Sequence, residues 1–217
     1  VAVAGEVATR IPGHDGGPSL EACVYTQPDA VRAVVLCHPH PLYGGSMHSP
    51  VPLVIAKALS GALQQSVAWV RFNFRGVGTS EGSYDDGRGE VDDARAAIEY
   101  VQAFAPRARV AVCGHSFGSW VGLRAAASKP VVDRALLISP STRFFAFRGD
   151  ALQFAGQTTI FIGSEDEYSG VDEARALAVE LGADIRVFDG FDHHFTKSRR
   201  ALAEAALPVV ASEAMNP

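Results

Sequence analysis

This chain predicts an α/β architecture: a doubly wound, mostly parallel sheet with helices on both faces. Three observations carry that expectation. Short apolar runs alternate with amphipathic helical stretches along the sequence. From residue 31 onward those runs are almost continuously apolar, as strands are when helices cover both faces of a parallel sheet. The third is Gly114-His115-Ser116-Phe117-Gly118, set between an apolar run at 108–113 and an amphipathic stretch at 119–127, which reads as strand, sharp turn and helix.

The first two strands, 3–10 and 20–26, flank Pro12-Gly13-His14-Asp15-Gly16-Gly17-Pro18, a string of turn residues that joins antiparallel partners. Further strands are expected at 31–37, 67–74, 108–113, 135–138, 158–162 and 185–188, completing an eight-stranded sheet. Helices fall between them. Val91, Ala94, Ile98 and Val101 repeat at i, i+3, i+4 spacing, as do Ala174, Leu177, Ala178 and Leu181, with further helices expected at 50–63, 119–127 and 197–210. A sheet wound in this way binds ligands beyond the carboxyl ends of its strands, so the residues just after each strand are where chemistry is sought.

Composition narrows the function classes. With 217 residues, 47% hydrophobic and 20% charged, the chain is expected to form a single domain over 1–217 with a large core. A formal charge of −5 and no dense cluster of Lys and Arg argue against nucleic acid or an anionic membrane surface as partner. The Arg199-Arg200 pair reads as a solvated helix face. Cys23, Cys37 and Cys113 lie in strand-like runs and are odd in number, which suits buried reduced thiols and a cytoplasmic setting. No uninterrupted apolar stretch reaches the roughly 18 residues of a membrane span, and no basic segment followed by an apolar one opens the chain.

G-x-S-x-G requires glycine on both sides because the strained turn that exposes the serine leaves no room for a Cβ. Gly78-Thr79-Ser80-Glu81-Gly82 matches the same pattern but follows a break and leads into the polar string Ser83-Tyr84-Asp85-Asp86-Gly87, so Ser80 is expected in a loop. Downstream of Ser116, Gly163-Ser164-Glu165-Asp166-Glu167 follows one strand, and Asp189-Gly190-Phe191-Asp192-His193-His194-Phe195 follows another. Serine, acid and histidine thus stand in that order at three strand ends, the order of a hydrolytic triad. His193 and His194 both remain open as base, since neighbours in an extended loop point opposite ways.

The chain resembles the α/β-hydrolase superfamily, and within it a group of small lidless bacterial serine hydrolases. The resemblance rests on the elbow, on the 38–47 stretch His-Pro-His-Pro-Leu-Tyr-Gly-Gly-Ser-Met, on the 72–82 stretch Phe-Asn-Phe-Arg-Gly-Val-Gly-Thr-Ser-Glu-Gly, and on Asp86-Gly87-Arg88-Gly89-Glu90 ahead of a helix. It implies an α/β-hydrolase fold without a lid or cap domain, Ser116 as nucleophile, Asp166 as acid, and a histidine of the 193–194 pair as base. His193 is favoured because it stands three residues beyond Gly190, where the superfamily's glycine-then-histidine loop places the base. Glu165 and Glu167 flank the acid and could replace it, while Asp192 reads as loop structure.

An oxyanion hole needs two backbone N–H donors, one of them from the residue after the nucleophile, Phe117. Pro39 and Pro41 lack an N–H, leaving His40, Leu42 and Tyr43 for the second. The superfamily's H-G-x-P motif, here with proline for glycine, points to His40. Leu42 and Tyr43 are expected on the substrate-binding wall. His14 and His115 carry no functional expectation.

The connection at 141–157 has room for a short helix and no lid, which suits small acyl substrates and implies little apolar surface for a long chain. Its Arg143, Phe144, Phe145, Phe147 and Arg148 are read as one wall of the site, with core as the alternative for the Phe-rich segment. Together these readings describe a serine carboxylesterase or thioesterase working through an acyl-enzyme, with a small-molecule acyl substrate and neither metal nor organic cofactor. One rival is a catalytically silent hydrolase fold used for binding. Another is a metal site drawn from His38, His40, His48, Asp166, Asp192, His193 and His194, against which stands the absence of a matched local spacing such as H-E-x-x-H.

Overall fold

The computed structural model describes residues 2–62, 66–149 and 153–212. In chain order the elements are β1 Val7–Ile11, β2 Leu20–Tyr25, β3 Arg32–Cys37, α1 Pro50–Ala62, β4 Val67–Phe72, α2 Arg88–Phe104, β5 Arg109–His115, α3 Phe117–Ala127, β6 Val132–Ile138, β7 Gln157–Gly163, α4 Val171–Leu181, β8 Asp184–Phe188 and α5 Arg199–Ala211. The strands form one sheet in the order β1-β2-β4-β3-β5-β6-β7-β8. β1 with β2 and β2 with β4 run antiparallel, and every other pairing is parallel.

Strand alternation sorts the core. Val35 and Cys37 of β3, with Val70, Phe72 and Val112, meet α2 and α3 through Ile98, Val101, Phe117 and Val121. Val34 and Leu36 of the same strand, with Trp69 and Cys113, face α1 and α5 through Ile55, Leu59, Leu202 and Ala206. The strand order reverses around β3: the chain steps outward to β4 and returns to β5 on the other side. With α1 and α3 on opposite faces, a crevice opens between the ends of β3 and β5, where α/β sheets bind ligands. The register Cys37↔Gly114 brings the loop after β3 beside the turn after β5.

The expected elements recur with shifted ends. β1 starts at Val7 because residues 3–6 form a turn: the Glu6 amide donates to Val3 O, and the Glu6 carboxylate accepts from Val3 N and from the buried guanidinium of Arg71. β4 stops at Phe72, since the Phe74 amide is captured by His38 Nε2 at 3.0 Å instead of a strand partner. β6 begins at Val132, earlier than the apolar run, because Asp133 and Arg134 are polar residues at the strand's half-buried start. Residue 63 of the expected first helix and residues 150–152 of the β6–β7 connection lie outside the described residues.

Cys37 and Cys113 are buried, and burial pushes the Cys113 thiol up to about 12. Cys23, expected inside, is only half-buried because it alternates with the core-facing residues of β2. Arg200 is exposed and pairs with Glu204, but Arg199 is half-buried rather than fully solvated, and its Nε is enclosed.

Candidate active site

The turn after β5 holds Ser116 at φ 56° and ψ −118°, a left-handed conformation that a non-glycine residue adopts only under strain. Its amide is anchored to Ile138 O at 2.9 Å. Both flanking glycines are sterically required. A Cβ on Gly114 would sit 2.2 Å from Gly118 O, and one on Gly118 would sit 2.4 Å from Cys37 O, both backbone atoms that cannot swing aside. Ser80 sits in a loop: its hydroxyl donates to Asn73 O and accepts from Glu21 N.

Asp166 follows β7 and His193 follows β8, and both side chains are buried. His193 Nδ1 lies 3.0 Å from each carboxylate oxygen of Asp166. A carboxylate only accepts, so Nδ1 carries the proton and Nε2 keeps a free lone pair. Asp166 Oδ1 also accepts from the amides of Tyr168 and Ser169, at 2.9 and 3.1 Å. Burial raises its pKa, but the hydrogen bond and charge of His193, with these amides, outweigh burial and hold the carboxyl below its usual value. Glu165 and Glu167 make no such contact: the Glu165 amide donates to Phe191 O, and Glu167 O accepts from Arg143. Asp192 spends its carboxylate on Thr196.

His194 is exposed and its ring meets those of His115 and His193; among the described residues it has no carboxylate hydrogen-bond partner. Desolvation, then the neighbouring His193, lowers its pKa. His115 is buried beneath the pair and neutral. Its Nε2 donates to His193 O at 3.0 Å, and burial pushes its pKa down to about 3.

The loop after β3 is fixed by its first histidine. His38 Nδ1 donates to Pro39 O at 2.6 Å while Nε2 accepts from the Phe74 amide, so both ring nitrogens are committed and burial drives the pKa to about 3. Of the three amides the sequence leaves as donors to an oxyanion, two are engaged: Leu42 N donates to His40 Nδ1 at 3.2 Å, and Tyr43 N to His40 O at 3.2 Å. Among the described residues, the amides of His40 and Phe117 have no backbone acceptor. The β3–β5 register places these two loops side by side.

A cleft of about 730 Å³ contains Ser116, His193, His194 and Ser141, with Tyr43, Val51, Phe144, Phe145 and Tyr168 among its walls. That apolar lining corrects the expectation of little surface for an acyl chain. Phe144 faces Tyr168 while Phe145 packs on Trp120, Phe117 and His40. Leu42 is corrected too. The short 3-10 turn Pro41–Tyr43 aims it outward, 65% exposed and away from the cleft, whereas Tyr43 lines it. The seven residues of the metal reading do not converge: His48 Nδ1, for instance, faces Arg71 Nη1. Among the described residues, no group of three or more His, Cys, Asp or Glu side chains could hold a metal ion.

Two features escaped the sequence. Ser116 Oγ has its hydrogen bond with Ser141 Oγ, at 3.0 Å, and not with His193. Tyr168 lies edge-on to the His193 ring at a centroid distance of 4.7 Å. Ser141 follows Pro140 just beyond a parallel strand, so the strand-end rule could have singled it out.

Comparison with known proteins places the fold in a family. Residues 34–214 match the model of the alpha/beta hydrolase family. A protein of Rickettsia prowazekii (strain Madrid E), described as uncharacterised, is 32% identical over 83% of this chain and 78% of its own. A serine hydrolase without a lid from Xanthomonas campestris superposes with a TM-score of 0.81 at 30% identity, covering 97% of this chain and 95% of the other. An alpha-beta serine hydrolase homologue from Coxiella burnetii gives 0.82 at 28%, covering 97% and 99%. The chain belongs to the α/β-hydrolase family. Its fold is that of the lidless members and its function is that of a hydrolase.

Proposed function

We propose that the protein is a serine carboxylesterase acting on small, apolar acyl esters or thioesters through a covalent acyl-enzyme. The observation that carries this reading is the Asp166 carboxylate on His193 Nδ1, within the same cleft as the strained Ser116. Asp166 holds the imidazole so that Nε2 takes the Ser116 proton as Oγ attacks the acyl carbon. The carbonyl oxygen becomes an oxyanion between the free amides of Phe117 and His40. His193 then protonates the leaving alcohol or thiol. Water, deprotonated by the same nitrogen, attacks the acyl-enzyme and releases the acid. Ser116 Oγ is bonded to Ser141 Oγ, and the mechanism requires the Ser116 hydrogen to reach His193 Nε2, a contact of the kind that tightens in the Michaelis complex.

Labelling with a fluorophosphonate, followed by peptide mapping, tests the assignment directly. Modification is expected at Ser116 alone and is lost in Ser116→Ala, while Ser80 stays unmodified. Labelling that survives in Ser116→Ala would remove the nucleophile.

A further inference from the structure

Beyond β6 the chain turns through Ser139, at φ 48°, and Pro140 into Ser141, which is buried. The Ser141 hydroxyl is not used by its own turn. The amides of Phe144 and Phe145 both donate to the Ser141 carbonyl, at 3.0 and 3.1 Å, so the turn is closed by the backbone while the side chain bonds Ser116. Next along, Thr142 Oγ1 lies 2.9 Å from Ser169 Oγ, and the Ser169 amide donates to Asp166. The segment is thus tied to the loop that carries the acid. Its hydroxyl is held 3.0 Å from Ser116 Oγ in a cleft whose other walls are largely apolar.

We propose that Ser141 is an additional catalytic residue, donating its O–H hydrogen bond to Ser116 Oγ. The inference rests on Ser116 being the nucleophile. In acylation the Ser116 proton passes to His193 Nε2 as the Oγ–carbon bond forms and the carbonyl π pair moves onto the oxyanion; that pair then re-forms the carbonyl, the bond to the leaving oxygen or sulfur breaks, and His193 protonates the leaving group. In deacylation water gives a proton to His193 as it adds to the acyl carbon, the oxyanion pair re-forms the carbonyl, the carbon–Oγ bond breaks with its pair on Ser116 Oγ, and His193 passes the water-derived proton to that oxygen. Ser141 keeps its own proton throughout. Both steps develop negative charge on Ser116 Oγ, where a fixed donor shielded from water stabilises the transition state more than the ground state. With Ser141 as donor, the Ser116 hydrogen remains free for His193. The opposite polarity would turn that hydrogen away from the base.

The test compares wild type, Ser141→Ala and Ser141→Thr in fluorophosphonate inactivation rate, in kcat and KM for p-nitrophenyl butyrate, and in the pH profile of kcat/KM. Loss of a hydrogen bond to a developing charge should slow inactivation and kcat in Ser141→Ala by about tenfold to a hundredfold. KM and the pH midpoint should stay in place, since neither substrate binding nor the base is altered. Ser141→Thr, which keeps the O–H, should recover most of both rates. Wild-type rates in Ser141→Ala, or a threonine variant as slow as the alanine one, would overturn the proposal while leaving Ser116 labelling intact. Failure of wild-type labelling at Ser116 would remove the nucleophile, and this proposal with it.

Discussion

His193 and His194 are chain neighbours with opposite surroundings, and the difference predicts their kinetics. His193 is buried, with Nδ1 on both oxygens of Asp166, whereas His194 is exposed and has no carboxylate partner among the described residues. If His193 is the base, as proposed from its bond to Asp166, replacing it by alanine should lower kcat by roughly 10³-fold or more. His194→Ala should cost about tenfold or less. Asp166→Asn should also be severe: an amide can donate to Nδ1, which favours the tautomer with its proton on Nε2. Steady-state kinetics on one ester decides among these, and the reverse ranking of the two histidines would transfer the role of base to His194.

Among the elements, the segment at 141–149 supplies one aromatic wall of the cleft through Phe144 and Phe145. It is too short to form a lid, yet successive residues face opposite ways: Phe144 towards Tyr168 and Phe145 towards His40 and Phe117. Acyl chains that stay between these walls should gain up to about 0.8 kcal/mol, or roughly fourfold in kcat/KM, for each methylene buried. A p-nitrophenyl series should therefore rise from acetyl through the medium lengths, fall by dodecanoyl, and show no jump in rate at micelle formation. Steady growth through the longest chain, or interfacial activation, would mean that the apolar surface extends beyond this cleft. The loop after β3 is equally constrained, because the His38 ring bonds its own chain at Pro39 O and the end of β4 at Phe74 N.

At the scale of the molecule, two of the buried histidines, His38 and His115, couple stability to pH. Burial holds His38 and His115 neutral with pKa values of about 3, against about 6.5 for the unfolded chain. Between those values the unfolded state binds the extra protons, so their contribution is fully present above pH 6.5 and is lost as pH falls. Each histidine should contribute a slope of roughly 1 kcal/mol per pH unit in that window. Urea unfolding at pH 7 and pH 5 should show the lower midpoint at pH 5, and His115→Gln should reduce the difference by about half. Equal midpoints at the two values would show that these rings are not held neutral.

The sequence by itself determined the alternation of strands and helices, the antiparallel start, the strained turn at Ser116 and the placement of an acid and a histidine after later strands. These follow from apolar periodicity and from local turn sterics, as the backbone collisions awaiting a Cβ on Gly114 or Gly118 make plain. Tertiary structure decided what depends on atoms far apart in the chain. Which histidine meets Asp166 is a matter of loop register between β7 and β8, and a shift of one residue reverses the side chain. The His40 ring and carbonyl take up the amides of Leu42 and Tyr43, bonds that no residue pattern announces, and among the described residues its own amide has no backbone acceptor. Ser141 stands 25 residues from Ser116 in the chain and reaches it because β6 lies beside β5. Side-chain hydrogen bonding has a range of about 3 Å, so contacts of this kind exist only once the sheet has set the strands in order.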